Sequence, residues 1–479
     1  MAETTAAAAI FVPTLLEWLN RHVWLDGCDL ETERRQTWDE GRDVSSIDGE
    51  FNRLLNTPVP EGRRFGGARD KAWLQDAARL MDAVQDLPYR SEYPYVEPTD
   101  LEGIRVARPE TDPIRTWRGR RAQFLSRLHG GWLGRICGCM LGKPVEGWNM
   151  ESIRITGEET KNWPLNNYLR LPTRKEDGHI AARKPKNELH KKQAPLLLDG
   201  MNGMVEDDDT NYTTTGFYIV KKHGGDFTPL DVATAWGANI PIFHTCTAER
   251  VAYRNFVAGV VPPESATHRN PYREWIGAQI RADYFGYANP GNPERAAAWA
   301  WRDACISHVK NGIYGEMWVA AMLAAAYVED NWVRIVRAGL AQIPERCRLY
   351  DDVETIVDAY EEHKSYDEVV KMIHEQWDET VSHHWCHTNS NAQIVAAAVL
   401  YGEEDFEKTI TRAVMPGFDT DCNGATAGSL WGVRYGVEKL PKKWTRPIKD
   451  KIRTGVAGYH EVKISAMAEE MAEVARGNW

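Results

Sequence analysis

Gly417-Phe418-Asp419-Thr420-Asp421-Cys422-Asn423-Gly424, continuing through Gly428 and Gly432 to Gly436, is the stretch whose reading decides the fold. Its glycines recur every fourth residue, the spacing of one face of a helix. A glycine inside a helix costs about 1 kcal/mol relative to alanine. Four in a stripe survive only where another backbone must come close. A second stripe, Gly130, Gly134, Gly138 and Gly142, has the same spacing. A membrane dimer face is the other use of such a pattern. Arg135, Lys143 and Arg434 lie on or beside the stripes and argue against it. Two buried, central helices are expected, with acidic groups projecting from their ends.

Those acidic groups carry the chemistry. Asp419-Thr420-Asp421 precedes one striped helix, and Glu206-Asp207-Asp208-Asp209-Thr210 opens another helical stretch about 210 residues earlier. Acidic residues in a first helical turn cap free N–H groups and complement the macrodipole. Capping accounts for one or two carboxylates, not for four in a row. Packed carboxylates repel one another unless water or a cation offsets the charge. Asp and Thr oxygens are hard donors, suited to Mg²⁺, Mn²⁺ or Ca²⁺ rather than zinc. If the two clusters meet in space, they build a binuclear metal site. The compact run His383-His384-Trp385-Cys386-His387 has no second Cys/His group to complete a closed zinc site. It reads as a turn into the helix at Asn389.

Helical apolar spacing dominates elsewhere, at 117–142, 207–222, 244–260, 272–284, 293–309, 314–329, 351–362, 366–377, 389–401, 405–413 and 422–436. Alternating runs are nearly absent, so the fold class is all-α. Residues 1–116 read as an N-terminal helical extension, with helices at Leu15 to Trp24 and Lys71 to Val84 and a Pro-rich linker at Glu92 to Thr111. Residues 117–479 form the main domain. Within it, 151–200 has no period and reads as a long loop or small insertion. The net charge is −11, and the longest basic stretch, Arg183 to Lys192, reads as a solvated loop, so no nucleic-acid partner is expected. No apolar run reaches the roughly 18 residues that span a bilayer, and Met1 to Ile10 lacks a basic n-region. Eight dispersed cysteines fit a reducing cytoplasm.

Gly138-Cys139-Met140-Leu141-Gly142-Lys143-Pro144-Val145-Glu146, then Asp208-Asp209-Thr210, then Ser307-His308, then Gly417 to Asn423 with its Gly/Ala helix, occur in an order that resembles the ADP-ribosylglycohydrolase family. Its members include the dinitrogenase reductase-activating glycohydrolase, the ADP-ribosyl-acceptor hydrolases and a crystallin. The resemblance covers about 120–440 and implies a multi-helix all-α domain with two divalent ions, Mg²⁺ or Mn²⁺, at the base of a cleft. It implies Asp207, Asp208, Asp209, Asp419 and Asp421 as metal ligands. It also implies Glu146 in catalysis or gating. Three positions depart from the family's pattern. Asp207 stands where Thr or Ser is usual, Cys422 where a Thr or Ser oxygen is usual, and Cys139 where Asp is common.

The implied reaction is hydrolysis of an N- or O-glycosidic bond at ribose C1′ of an ADP-ribosylated substrate or a ribosyl-containing small molecule. Glu146 and one of Asp207 or Asp208 are the candidate bases for the attacking water. Arg269, Asn270, Tyr284, Phe285 and Tyr287 flank a turn at Asn289 to Pro293. These residues and His308 either contact substrate or serve packing and capping. Two alternatives remain: a hydrolase of free nucleosides or small ribosyl metabolites, and a non-catalytic, crystallin-like protein on the same fold. Retained acidic positions argue against the second.

Overall fold

A computed structural model of the chain describes residues 27–58, 70–111, 114–171, 189 and 191–478. The expected helix at Leu15 to Trp24 and most of the basic stretch from Arg183 lie outside the described residues. The fold is all-α. Among the described residues the strands are a two-residue antiparallel pair, Ile452–Arg453 with Glu461–Val462. No helix among the described residues is long and apolar enough to cross a membrane.

The chain divides into two compact units. The first comprises the described residues up to Tyr93 together with His268–Tyr272. It contains helices α1 (Gly27–Asp39), α2 (Asp48–Leu55) and α3 (Lys71–Ala83). Leu30, Phe51, Leu54, Trp73, Ala77, Leu80 and Met81 form its core. Asp70 starts α3 by accepting the Trp73 N–H at 2.8 Å, the expected role of an N-cap aspartate. Arg269 grips Asp82 through two hydrogen bonds of 2.6 and 2.8 Å, so its guanidinium serves this unit rather than a ligand.

The second unit is organised on the two glycine stripes. They lie on α4 (Arg121–Gly142) and on a later helix, Thr420–Tyr435. A Cβ placed on Gly130 would land on the Gly432 carbonyl. One on Gly134 would meet Gly428, one on Gly138 would meet Gly424, and one on Gly142 would meet Thr420. Rising numbers on one helix meet falling numbers on the other, so the two run antiparallel. The absence of side chains brings backbone against backbone, which compensates for the poor helix propensity of glycine. Around this pair, α4 and the second striped helix α9, stand α5 (Asp208–His223), α6 (Lys310–Ala325), buried along its whole length, α7 (Thr388–Leu400) and α8 (Phe406–Val414). Ala398, Ala413 and Ala427 meet where α7, α8 and α9 pack, again by keeping side chains small.

Three readings of the sequence need correcting. Residues 272–284 are turns and one 3₁₀ segment, Gln279–Arg281, leading into the short α-helix Asp283–Tyr287, not one helix. Their backbone is committed elsewhere: Ile276 N–H donates to Cys386 O at 2.8 Å, and Thr388 N–H donates to Glu274 O at 3.0 Å. The region 151–200 contains a helix, Met150–Glu159, capped by Asn149. The Pro-rich stretch 92–111 contains another, Leu101–Ala107, capped by Asp100.

Candidate metal centre

Because the striped helices are antiparallel, the C-terminus of α4 lies beside the N-terminus of α9. Thr420 Oγ1 donates to the Gly142 carbonyl at 2.9 Å and locks the two ends together. A tight turn precedes α9, with Gly417 at φ +81° and Phe418 at φ +58°. A positive φ at a bulky residue costs on the order of 1–3 kcal/mol and is held only by its surroundings. Phe418 is fully buried. Asn391 of α7 braces the start of α9: its Oδ1 accepts from Asp419 N at 3.1 Å and from Asn423 Nδ2 at 2.8 Å. Asp419 and Asp421 are thereby held at the head of α9.

The second acidic cluster arrives on α5. Asp207 is its N-cap and accepts the Asp209 N–H at 2.9 Å. The two clusters meet. Asp207, Asp209, Asp421 and the Cys139 thiol each offer a ligand atom, all within 4.8 Å of one another; Asp419, Asp421 and Cys422 form a like group. Asp421 belongs to both. Asp208 is half-buried beside them. Glu206, the fourth carboxylate of the run, turns away to His244 and to Asn211 Nδ2. Glu146 follows the short turn Lys143–Val145 after α4, and its side chain is 45% exposed, the most open carboxylate near the cluster.

Two fixed cations enter this cluster. Arg135 is fully buried; it reaches Asp209 Oδ1 at 2.7 Å, Asp283 Oδ2 at 2.7 Å and the Ile280 carbonyl at 2.6 Å. Lys143 pairs with Asp207 and lies 3.8 Å from Asp421 and 3.9 Å from Glu146. These two charges do not balance the carboxylates. Burial pushes Asp209 and Asp419 well above the usual range, and neighbouring Asp421 adds to the effect on both. Burial together with Asp207 pushes Asp208 up to about 7. Burial also works against the charge of Asp207, yet Lys143 outweighs it and holds that carboxyl low. Asp421 holds Glu146 well above its ordinary value.

Asp209 Oδ2, Asp419 Oδ1 and Asp421 Oδ1 are buried without a hydrogen-bond partner. Buried polar atoms are nearly always satisfied. Orphaned carboxylate oxygens at the junction of two acidic clusters are donors of the kind hard divalent cations take. Burial keeps the thiols of Cys139, Cys386 and Cys422 neutral, with pKa values well raised. A neutral thiol is a poor donor for a hard ion. Cys422→Ser is therefore expected to bind Mg²⁺ as well as the native protein, or more tightly, in calorimetry on chelator-treated samples. A loss beyond about tenfold, 1.4 kcal/mol, would mark the sulfur as a ligand.

The residues considered for substrate contact away from the acidic cluster lie inside the core. Tyr284, Tyr287, Asn289 and His308 are fully buried. Tyr284 OH donates to Met471 O at 3.0 Å, Tyr287 OH bonds Ser429 Oγ at 2.6 Å, and Asn289 Nδ2 donates to Phe285 O at 2.8 Å. His308 Nδ1 and Ser307 Oγ are hydrogen-bonded to each other at 2.8 Å. Each is engaged in the core, and Asn270 is buried as well. The histidine run is likewise committed to local bonds. His383 Nδ1 accepts from Trp275 Nε1 at 3.0 Å, His387 Nδ1 accepts from Asn389 N at 3.1 Å, and the Cys386 thiol faces Asp419 at 3.7 Å.

A family model for ADP-ribosylglycohydrolase matches residues 120–478. The chain belongs to the ADP-ribosylglycohydrolase family. A solved structure described as an ADP-ribosylglycohydrolase-related protein complex is similar at 17% identity, over 75% of this chain and 100% of that one, with a TM-score of 0.46. No curated protein matches the chain. Within this ADP-ribosylglycohydrolase-family chain, Arg135, Lys143 and Asn391 were not read as site residues from the sequence. Arg135 and Lys143 each directly follow a stripe glycine, which is the one signal that places them at the junction. Asn391 carries no signal short of the fold.

Proposed function

We propose that the protein is a divalent-cation-dependent glycohydrolase that cleaves the N- or O-glycosidic bond at ribose C1′ of an ADP-ribosyl or related ribosyl compound. One observation carries this reading. Two acidic clusters about 210 residues apart in sequence converge at the junction of α4, α5 and α9, with three buried carboxylate oxygens unpartnered. Family membership supports hydrolase chemistry on ADP-ribosyl compounds.

Asp207, Asp208, Asp209, Asp419 and Asp421 would hold two divalent ions, Mg²⁺ or Mn²⁺, with Asp421 common to the two groups of ligand atoms. A bound divalent cation orients sugar hydroxyls and makes a bound water more acidic. The chain's own residues do the rest. Cleavage at C1′ builds positive charge on the ribose ring, which the negative carboxylates of this cluster would stabilise. Glu146 is open to solvent and next to Asp421, so it is placed to take the proton from an attacking water. Asp208 is the other candidate base. Residues 117–479 carry this activity, and residues 1–116 are an extension to it. Seven cysteines among the described residues are free thiols, in keeping with a cytoplasmic enzyme.

The test is release of ADP-ribose or ribose from ADP-ribosyl-arginine, ADP-ribosyl-serine, O-acetyl-ADP-ribose and a series of nucleosides, with Mg²⁺, Mn²⁺ or chelator. Turnover of at least one ADP-ribosyl compound is expected, abolished by chelator. Turnover of nucleosides alone would move the assignment to small ribosyl metabolites. No turnover across the set would favour a non-catalytic protein.

A further inference from the structure

We propose that the cavity lined by Arg105, Arg295 and Arg302 is a second ligand site, which takes a phosphate-bearing small molecule of nucleotide size. The cavity has a volume of about 570 Å³, inside the range of about 300–1,000 Å³ typical of small-molecule sites. Its main wall is one face of the helix Pro293–Ala304. Arg295, Ala298, Trp299 and Arg302 fall at i, i+3, i+4 and i+7, the spacing that stacks side chains on one helical face. Arg105, from the helix Leu101–Ala107, and Gly225–Asp226, from the turn after α5, add to the lining. That turn lies at the end of α5 opposite the acidic cluster. The 16 residues of α5 rise about 24 Å, so the cavity and the metal centre are separate sites.

The charge of the lining favours an anion. It sets three arginines against two carboxylates, Asp226 and Glu294, both exposed. Arg302 is half-buried, and its Nη1 donates to the Gly225 and Phe227 carbonyls at 2.7 and 3.1 Å. Among the described residues no carboxylate pairs with it, although a charge that leaves water is ordinarily paired. Gly225 sets up this contact. A Cβ there would lie 2.6 Å from the Trp299 ring, so its absence lets the turn rest on that ring with its carbonyl bonded to Arg302. Arg295 Nε donates to Asn289 Oδ1, another neutral oxygen, and burial holds its guanidinium below the ordinary range. Arg105 bonds Glu102 at 2.6 Å and lies 3.9 Å from Glu294. Burial holds the neighbouring Arg108 down at about 10 against the pull of Glu294, and Arg105 adds to the lowering. Guanidinium forks match phosphate oxygens bidentately. The volume leaves room beyond a phosphate group for a sugar and a base, and Asp226 and Glu294 are acceptors for sugar hydroxyls.

Calorimetry on chelator-treated full-length protein tests this, with ADP, inorganic phosphate and adenosine as probes. Without metal the acidic cluster repels anions, so the metal centre does not mask the result. ADP should bind, and more tightly than either phosphate or adenosine. Arg302→Gln should weaken ADP binding at least about tenfold, a loss that Asp421→Asn at the metal centre should not reproduce. Arg105→Gln, at an exposed position, should weaken it too, and carries the test if Arg302→Gln does not fold. No ADP binding by the native protein would overturn the proposal, as would native affinity in folded Arg302→Gln or in Arg105→Gln. Adenosine binding as tightly as ADP would remove the phosphates from recognition. Phosphate binding as tightly as ADP would reduce the cavity to a bare anion site. Either result overturns the assignment. An equal loss in Asp421→Asn would place ADP at the metal centre and overturn it as well. The measurement involves neither metal nor turnover, so its failure would leave the glycohydrolase reading standing.

Discussion

Asp421→Asn is expected to abolish divalent-cation binding and to lower turnover by at least about 100-fold, the scale on which even outer-shell partners of a metal act. Asp421 is the residue common to both ligand groupings, and its Oδ1 is buried without a partner. Asparagine keeps the shape and removes one negative charge from a set that includes Asp207, Asp208, Asp209, Asp419 and Glu146. Less repulsion among buried carboxylates should leave the ion-free protein as stable as native, or more so. The two effects separate in one measurement. Native protein should gain about 2.7 kcal/mol when the ion is present at 100 times its Kd, seen as a rise in Tm on adding Mn²⁺. The variant should start at an equal or higher Tm and show no rise. A variant that keeps the native Mn²⁺-dependent rise would place the metal somewhere other than this junction.

What could be read from the sequence divides along a physical line. Local rules reach the elements. Spacing of four residues marks the glycine helices, consecutive aspartates mark the start of α5, and the order of the motifs marks the family. Those rules do not tell which surfaces meet. Each glycine stripe implies a close neighbour, but only the fold makes the two stripes each other's neighbour and so brings Asp419 and Asp421 to Asp207 and Asp209. Arg135 and Lys143 are ordinary basic residues until the fold places them against Asp209 and Asp207. Asn391 looks like a polar residue in an Ala-rich helix, yet it holds the backbone of Asp419. Tyr284, Tyr287 and Asn289 show the same limit. Polar and aromatic residues beside a Pro/Gly turn read equally as ligand contacts or as packing. Here they satisfy one another and the backbone inside the core. The helical pattern at 272–284 failed for a related reason, since backbone pairing with residues 386–388 outweighed local propensity.

Gly428→Leu is expected to be strongly destabilising. A Cβ at Gly428 would sit well inside 3 Å of the Gly134 carbonyl oxygen, an atom of the facing backbone that no rotamer change can move aside. The two helices must separate, and overpacking of even an ordinary core costs about 1–3 kcal/mol, occasionally more. Separation has a second consequence. The same helix pair sets the Thr420 to Gly142 bond and the positions of Asp419, Asp421 and Lys143. Gly428→Ala, which adds a single methyl, should therefore lower Tm and weaken Mn²⁺ binding together, although residue 428 lies two helical turns from the acidic end. Gly237 provides the control. It lies in the helix Pro229–Asn239 with nothing within 4 Å of an added Cβ. Gly237→Ala should stabilise by up to about 1 kcal/mol through helix propensity alone, leaving metal binding unchanged. If Gly428→Ala behaved like Gly237→Ala, the stripes would not be in backbone contact, and the junction they build would have to be held by other means.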